Sequence, residues 1–575
     1  MVFRCVRTLF LPHLISPAAG YWYRLLNTPI LRLANWLLIA ASLVLLLTGP
    51  LGTLKGWKAF AIFFVIAIGV HYRHDLYFYW DEWHVLLRLL EPGKRVFLET
   101  HNEHFIPLFL GIFYLESLLF GDNYNLYLLF GLAIHALNGV LTASLIRRLI
   151  DSRIGGESAV GARAANSLAV FYLVNALHCS VLEWAFLQAI LFCQLLALSA
   201  FVNGLDYVRE GDRLKLSLCL ISAALAPFFF GGGMIIPVQM GLLVLFGVPF
   251  LLRKLQRAFG GLALSGDAEE ETEDDTKNDA ALKRSGYLAL MFCFLGVALI
   301  AIYAVPREGS GYGVDVPNIA HRFGDLTKLV GYMFVGTQLG SIVRGLGLFP
   351  IRELDLTINL IPPEWIQIFD NKFFVFGAIG SFALIAAAGL FLVLRAFSLN
   401  PRDTIRILLL GQAFLLSSLF LAALGRSKWG MLFSLAPRYQ YSALIGLLIC
   451  LLPVTLWLLS THAGTHSVLR KMLLGTFVGC LMLQLYWGAR YQLFVEYAQM
   501  NRGFVEQLSE WHGLVQRNAP ENRQAPYDRA GTPFTGLAPG IPWRLAPNFH
   551  PDQVSAVVEA LRRRETITAI PDYDS

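Results

Sequence analysis

Six side chains able to move protons or hold polar groups crowd the window 81–104: Asp81, Glu82 and His84 in "YWDEWHVLL", then His101, Glu103 and His104 in "HNEHFIPL". Two long apolar stretches flank the window, and ionisable groups are costly beside or inside a membrane. A solvated loop charge or an interfacial hydrogen bond explains any one of the six. Six within 24 residues (81–104) point instead to a site. Adjacent carboxylates project in different directions from a helix, so one of the Asp81–Glu82 pair can do chemistry while the other orients it or holds substrate. The His101 and His104 pair, spaced i, i+3, can ligate a metal together with Glu103 and Asp81, but there is no HExxH and the spacing is common by chance.

The elements that must position these groups follow from composition. The 575-residue chain is 56% hydrophobic, 13% aromatic and only 15% charged, against about a quarter charged in ordinary soluble domains. It reads as all-α, a polytopic transmembrane bundle. Apolar runs of about 17 to 25 residues fall near 33–49, 57–73, 125–146, 166–182, 186–204, 214–230, 234–252, 286–305, 372–396, 406–425, 438–459 and 471–489, about twelve spans. Pro12 and Pro17 interrupt the early apolar stretch, so no removable signal peptide is read there. The seven cysteines form no CxxC pair and support neither a disulfide framework nor a zinc finger. The net charge of +6 needs no nucleic-acid partner, because loop arginines set topology.

Basic segments holding Arg147, Arg148, Arg153 and Arg163, then Arg253, Lys254 and Arg257, then Arg395, Arg402 and Arg406, then Arg470 and Lys471, fall on one side of this span count. That side is taken as cytoplasmic. The loop 74–124 with its acidic and histidine cluster then lies outside, as do Glu183, the segment 306–371, the turn before Arg438 and the tail after 490. With both early spans crossing, the N-terminus also falls outside despite Arg4, Arg7, Arg24 and Arg32; the alternative is that one early segment does not cross. The run "DAEEETEDD" at 267–275 reads as a disordered, solvated part of a cytoplasmic loop at 253–285. The domain organisation is a transmembrane unit over 1–490 and a small extracytoplasmic appendage over 491–575, rich in proline and glycine.

Residues 75–84 are expected to finish a helix or turn at the bilayer rim, and "FIPLFLGIFYLESLLFG" at 105–121 to form a short helix along the outer interface. Three further places share that side. "NALHCSVLEWAFLQ" puts His178, Glu183, Trp184 and Gln188 at the mouth of a helical hairpin. "FFFGGGMIIP" at 228–237 permits very close backbone approach, for helix packing or for a ligand. "SLAPRYQYSALIG" puts Arg438, Tyr439 and Tyr441 at the start of a span, where the arginine either snorkels or meets a lipid phosphate.

In that order, "WDEW" with Asp81 and Glu82, "EHFIP" with Glu103, His104 and Pro107, "ALHCSVLEWAFLQAILF", "FFFGGGMIIP" and "RYQY" resemble the GT-C superfamily of membrane glycosyltransferases, which includes protein O-mannosyltransferases, lipid A aminoarabinose transferases and bacterial relatives. The likeness covers about residues 57–460 in order and spacing. It departs in an extra N-terminal span and a small tail. The resemblance implies a GT-C-like fold with an extracytoplasmic helical first loop. It implies transfer of a sugar from a polyprenyl-phosphate donor to an extracytoplasmic acceptor (glycan, lipid or protein) with inversion, in a bacterial cytoplasmic membrane. By that likeness Asp81 is the general base, Glu82, Glu103 and His104 complete the catalytic group, and His84, His101, Asn102, Glu183, Trp184, Gln188, Arg438, Tyr439 and Tyr441 bind substrates. Membrane lipids are further partners, no nucleic acid is expected, and no cofactor is required, a divalent metal being the less favoured alternative. A transporter or flippase, and a metal-dependent hydrolase or phosphotransferase, are the rival readings.

Overall fold

The computed structural model describes residues 56–72, 76, 78, 81–90, 97, 104–154, 159–247, 273–304, 326–348, 401–426, 434–459, 467–490, 560 and 563. Every element among them is helical. In chain order these are α1 (Gly56–His71), α2 (Asp81–Leu90), α3 (Pro107–Phe120), α4 (Tyr124–Ile154), α5 (Ala159–Leu173), a 3-10 turn Ala176–His178 leading into α6 (Cys179–Leu182), a second 3-10 turn Ala185–Leu187, α7 (Gln188–Glu210) and α8 (Arg213–Leu225). There follow 3-10 turns Ala226–Phe228 and Gly231–Ile235, α9 (Ile236–Gly247), α10 (Glu273–Ala304), α11 (Leu326–Val335) continued by a π-helical stretch Gly336–Arg344, α12 (Pro401–Arg426), α13 (Pro437–Gln440), α14 (Leu444–Leu459) and α15 (Ser467–Arg490).

The surface is inverted relative to a water-soluble protein. On α10, Tyr287, Leu290, Phe294, Val297 and Ile300 are each more than half exposed. Their three- and four-residue spacing makes one apolar face, as expected against hydrocarbon. Polar side chains point inward instead, among them His135, Asn138, Gln440 and Gln484. Among the described residues four helices are long and apolar enough to cross a bilayer, and the bent pair Ala159–Leu173 plus Ala176–Leu182 makes up to five.

Of the expected polytopic bundle, the all-helical, membrane-type character is borne out among the described residues. Ten of the twelve windows fall on described helices; 33–49 and 372–396 lie outside the described residues. Where both ends of a helix are described, its length can differ from that of the apolar window, because a continuous apolar window is not a continuous helix. The window 214–230 ends as a helix at Leu225, where Pro227 and the glycine run divert the chain. At 13 residues α8 is about 20 Å long, against a hydrocarbon core of about 30 Å. Window 286–305 errs the other way: α10 starts at Glu273, inside the acidic run read as disordered loop, where acids suit a helix N-terminus. The segment 306–371 is not simply a loop, since α11 and its π extension occupy 326–344 and bury Thr337, Ser341 and Arg344. The tail after 490 lies outside the described residues apart from Ala560 and Arg563.

The core centres on α4, packed by α1, α5 and α7, while α12 and α14 form a second pair that α5 and α9 join to it. A Cβ added at Gly411 would lie 2.7 Å from the Gly446 carbonyl oxygen, and one at Gly446 lies 2.6 Å from that of Gly411. Small residues thus let α12 and α14 touch backbone to backbone. Arg148 of α4 grips Asp206 of α7 with two parallel bonds, Nε to Oδ1 at 2.5 Å and Nη2 to Oδ2 at 2.7 Å. This fork fixes one end of the α4–α7 pair.

Candidate functional site

The other end of α4 and α7 holds the carboxylates. Asp81 is the first residue of α2, so the stretch expected to finish a helix or turn instead opens a helix from Asp81 on. Glu82 is fully buried. Its Oε1 accepts from the Tyr124 hydroxyl at 3.0 Å and from the backbone N–H of Phe186 at 2.9 Å. The same tyrosine oxygen accepts from the N–H of Ala185 at 3.0 Å. Glu82 therefore ties the start of α2 to the turn between α6 and α7, with Tyr124 as the bracket.

The turn needs that bracket. Between α6 and α7 the chain leaves the helical path at Trp184, which is extended (φ −118, ψ 106), so N–H groups of the next short turn lack helical partners. Two of them find Tyr124 and Glu82. Phe78 meets Tyr124 edge-on at 5.1 Å and Phe109 meets Phe186 at 5.3 Å, so aromatic rings wall the joint from water. Glu183 and Trp184 are buried within it.

Glu116 joins this group from α3, and reading the sequence had passed over it. Its side chain is 3% exposed and both carboxylate oxygens lack a hydrogen-bond partner among the described residues. Burial, and then the charge of Glu82, hold its carboxyl well above the usual carboxylate range. The signal was present: a lone acid in an otherwise apolar 14-residue helix.

His104 reaches the site by another route. Its ring lies 4.6 Å from that of Phe230, and a Cβ on Gly231 would sit 2.7 Å from its Nδ1. Phe105 stands edge-on to Phe228 at 6.0 Å. The first glycine of "GGG" is thus the seat of the His104 ring. The third packs on the backbone of Ala226 and Pro227 and serves the turn itself.

The remaining candidates separate. Gln188 is buried at the start of α7 and donates to the Tyr127 carbonyl at 2.8 Å, anchoring α7 to α4. Arg438 and Tyr439 are half-buried on α13, with the guanidinium carbon 5.4 Å from the centre of the Tyr439 ring. α13 packs on the Ala176–His178 turn and α6, the same strip of chain that continues into the Glu82 joint. Tyr441 faces elsewhere: its hydroxyl lies 2.8 Å from His135 Nδ1 and accepts from Asn138 Nδ2 at 3.1 Å. The ring of His178 lies against Tyr441 at 4.5 Å, Tyr172 at 4.6 Å and His135 at 4.8 Å. Tyr441 and His178 thus belong to a second, deeper polar cluster. The side chains of Asp81 and His84, and all of His101, Asn102 and Glu103, lie outside the described residues. Among the described residues no group of three or more histidine, cysteine or acidic side chains is placed to hold a metal ion.

Chemically, the joint offers a fixed carboxylate that has spent one oxygen on structure and beside it a buried carboxyl whose pKa is raised, while the His104 imidazole sits on its own glycine seat against Phe230. No family model, curated protein or solved structure matches the chain.

Proposed function

We propose that this protein is a membrane glycosyltransferase of about twelve spans that moves a sugar from a polyprenyl-phosphate donor to an acceptor outside the cytoplasm. The observation that carries the reading is the Glu82–Tyr124–Phe186 joint. It fastens the Asp81–Glu82 pair to the strip on which the Arg438 helix also packs. A base and a phosphate-binding cation have to share one end of the molecule if they are to act on one glycosyl phosphate. In the proposed reaction the Asp81 carboxylate takes the acceptor hydroxyl proton as the oxygen bonds to the anomeric carbon. The bond from that carbon to the phosphate oxygen breaks on the opposite face, so the centre inverts. Polyprenyl phosphate leaves with the electron pair, and Arg438 offsets its charge. Glu82, buried and doubly bonded, positions Asp81 and does not itself meet the acceptor. Glu103 and His104 hold the acceptor, and apolar grooves between spans take the isoprenoid.

The test is native mass spectrometry and turnover with reconstituted protein. A polyprenyl-phosphate sugar should co-purify and be lost in Arg438→Ala, while Asp81→Asn should keep the lipid and lose transfer. Retention of the wild-type rate in Asp81→Asn would remove the base assignment and pass it to Glu103. One observation favours a second reading, proton-coupled transport: His135, Asn138, His178 and Tyr441 lie fully buried inside the helical body. That reading requires solute flux in sealed vesicles and no transferred sugar.

A further inference from the structure

At the end of the bundle remote from the carboxylates, the turn between α7 and α8 and the first part of α10 enclose an open cleft of about 690 Å³. From Gln188 to Glu210, α7 spans about 33 Å, so the cleft and the Glu82 joint sit at opposite membrane faces. Arg213, Lys283 and Arg284 line the cleft, and Glu210 is the one acid among its lining residues. Among the described residues none of the three cations is in an ion pair, whereas nearby Arg148 and Lys215 both share Asp206. The Nε of Arg284 is buried without a hydrogen-bond partner among the described residues. Its position is set by Gly211, whose φ of +79 closes α7 in the left-handed region. A Cβ there would collide with Arg284 Nη1. The N-terminus of α8, capped by Asp212, adds its partial positive charge.

Beyond the cleft the exposed surface of the same two helices is apolar. Leu214, Leu218 and Ile221 on α8, and Tyr287, Leu290 and Met291 on α10, are exposed. The seven residues from Arg284 to Met291 carry α10 about 10 Å along its axis from the basic lining. A soluble anion would use only the cationic mouth. An amphiphile uses both parts.

We propose that this cleft binds an anionic phospholipid, its phosphate between Arg213, Lys283 and Arg284 and its acyl chains on the exposed faces of α8 and α10. Basic pockets at the ends of spans suit such headgroups, and each cation near the surface strengthens binding about fivefold.

The full-length protein, delipidated in detergent, would be titrated with phosphatidylglycerol or phosphatidylcholine and its bound lipid counted by native mass spectrometry. The wild type should hold phosphatidylglycerol about 30-fold more tightly than Lys283→Gln with Arg284→Gln. Arg163→Gln, which alters a half-buried arginine outside the cleft, should match the wild type. Should the double variant not fold, Lys283→Gln alone should weaken binding about fivefold. Equal binding by the cleft variant and the wild type overturns the proposal, as does equal loss in Arg163→Gln. So does displacement of the lipid by millimolar inorganic phosphate, which would make the cleft a free-anion site, or phosphatidylcholine binding as tightly as phosphatidylglycerol.

Discussion

Replacing Glu116 with glutamine tests the buried carboxyl beside Glu82. In the folded protein, burial and the Glu82 charge raise the pKa of Glu116 well above 4.5, its ordinary value. An unfolded chain ionises this group near 4.5; the folded one keeps the proton to higher pH. Between those two values the native state binds one more proton, so stability contributed by the neutral carboxyl is complete below pH 4.5 and declines as pH rises. The slope for one proton is about 1.4 kcal/mol per pH unit, and the decline stops once pH passes the folded value. Glutamine has nearly the same shape and does not ionise. Glu116→Gln should therefore match the wild type at pH 4.5 and become the more stable of the two as pH rises. The assay is unfolding in detergent at half-unit pH steps, read as the difference between the two proteins so that other titrating groups cancel. Parallel curves across pH 4.5 to 8 would refute the argument, because the carboxyl would then have found a partner or water that ionises it normally.

Three further outcomes follow from the same contacts. Tyr124→Phe removes a donor to Glu82 and the acceptor for the Ala185 N–H; it should cost about 1 to 3 kcal/mol in unfolding free energy, and unchanged stability would show that the bracket does not hold the turn. Gly231→Ala drives a Cβ toward His104 Nδ1; the histidine should move, visible as a shifted imidazole NMR resonance, and the sugar transfer proposed for this protein should fall while global stability changes little. Asp206→Asn breaks the fork with Arg148 and should cost about 2 kcal/mol, measured by the unfolding midpoint; an effect within error would mean solvent screens that pair.

The membrane-type, all-helical character was legible in the sequence because it depends on composition and on long apolar runs, which any bilayer-compatible packing has to use. The meeting of the first loop with "FFFGGGMIIP" was partly legible too, since three glycines advertise close approach. What approaches was not: that the ring of His104 sits on Gly231 depends on two segments more than 120 residues apart. Helix ends were equally opaque. Hydropathy does not register where Pro227 stops α8, nor that the acids from Glu273 can start α10.

The amino-acid order alone determined that ionisable groups would gather between apolar segments, and that something must offset their cost. Only tertiary structure decided which of them are spent on architecture. Glu82 and Gln188 hold turns and helix ends, because backbone N–H and C=O groups at a break in a buried helix must be satisfied by whatever side chain folds beside them. Tyr441, close in sequence to Arg438, turned inward to the side chains of His135 and Asn138, because buried polar side chains must also find hydrogen-bond partners. Glu116, unremarked in an apolar helix, was placed beside Glu82, where low dielectric and a like charge keep its proton on.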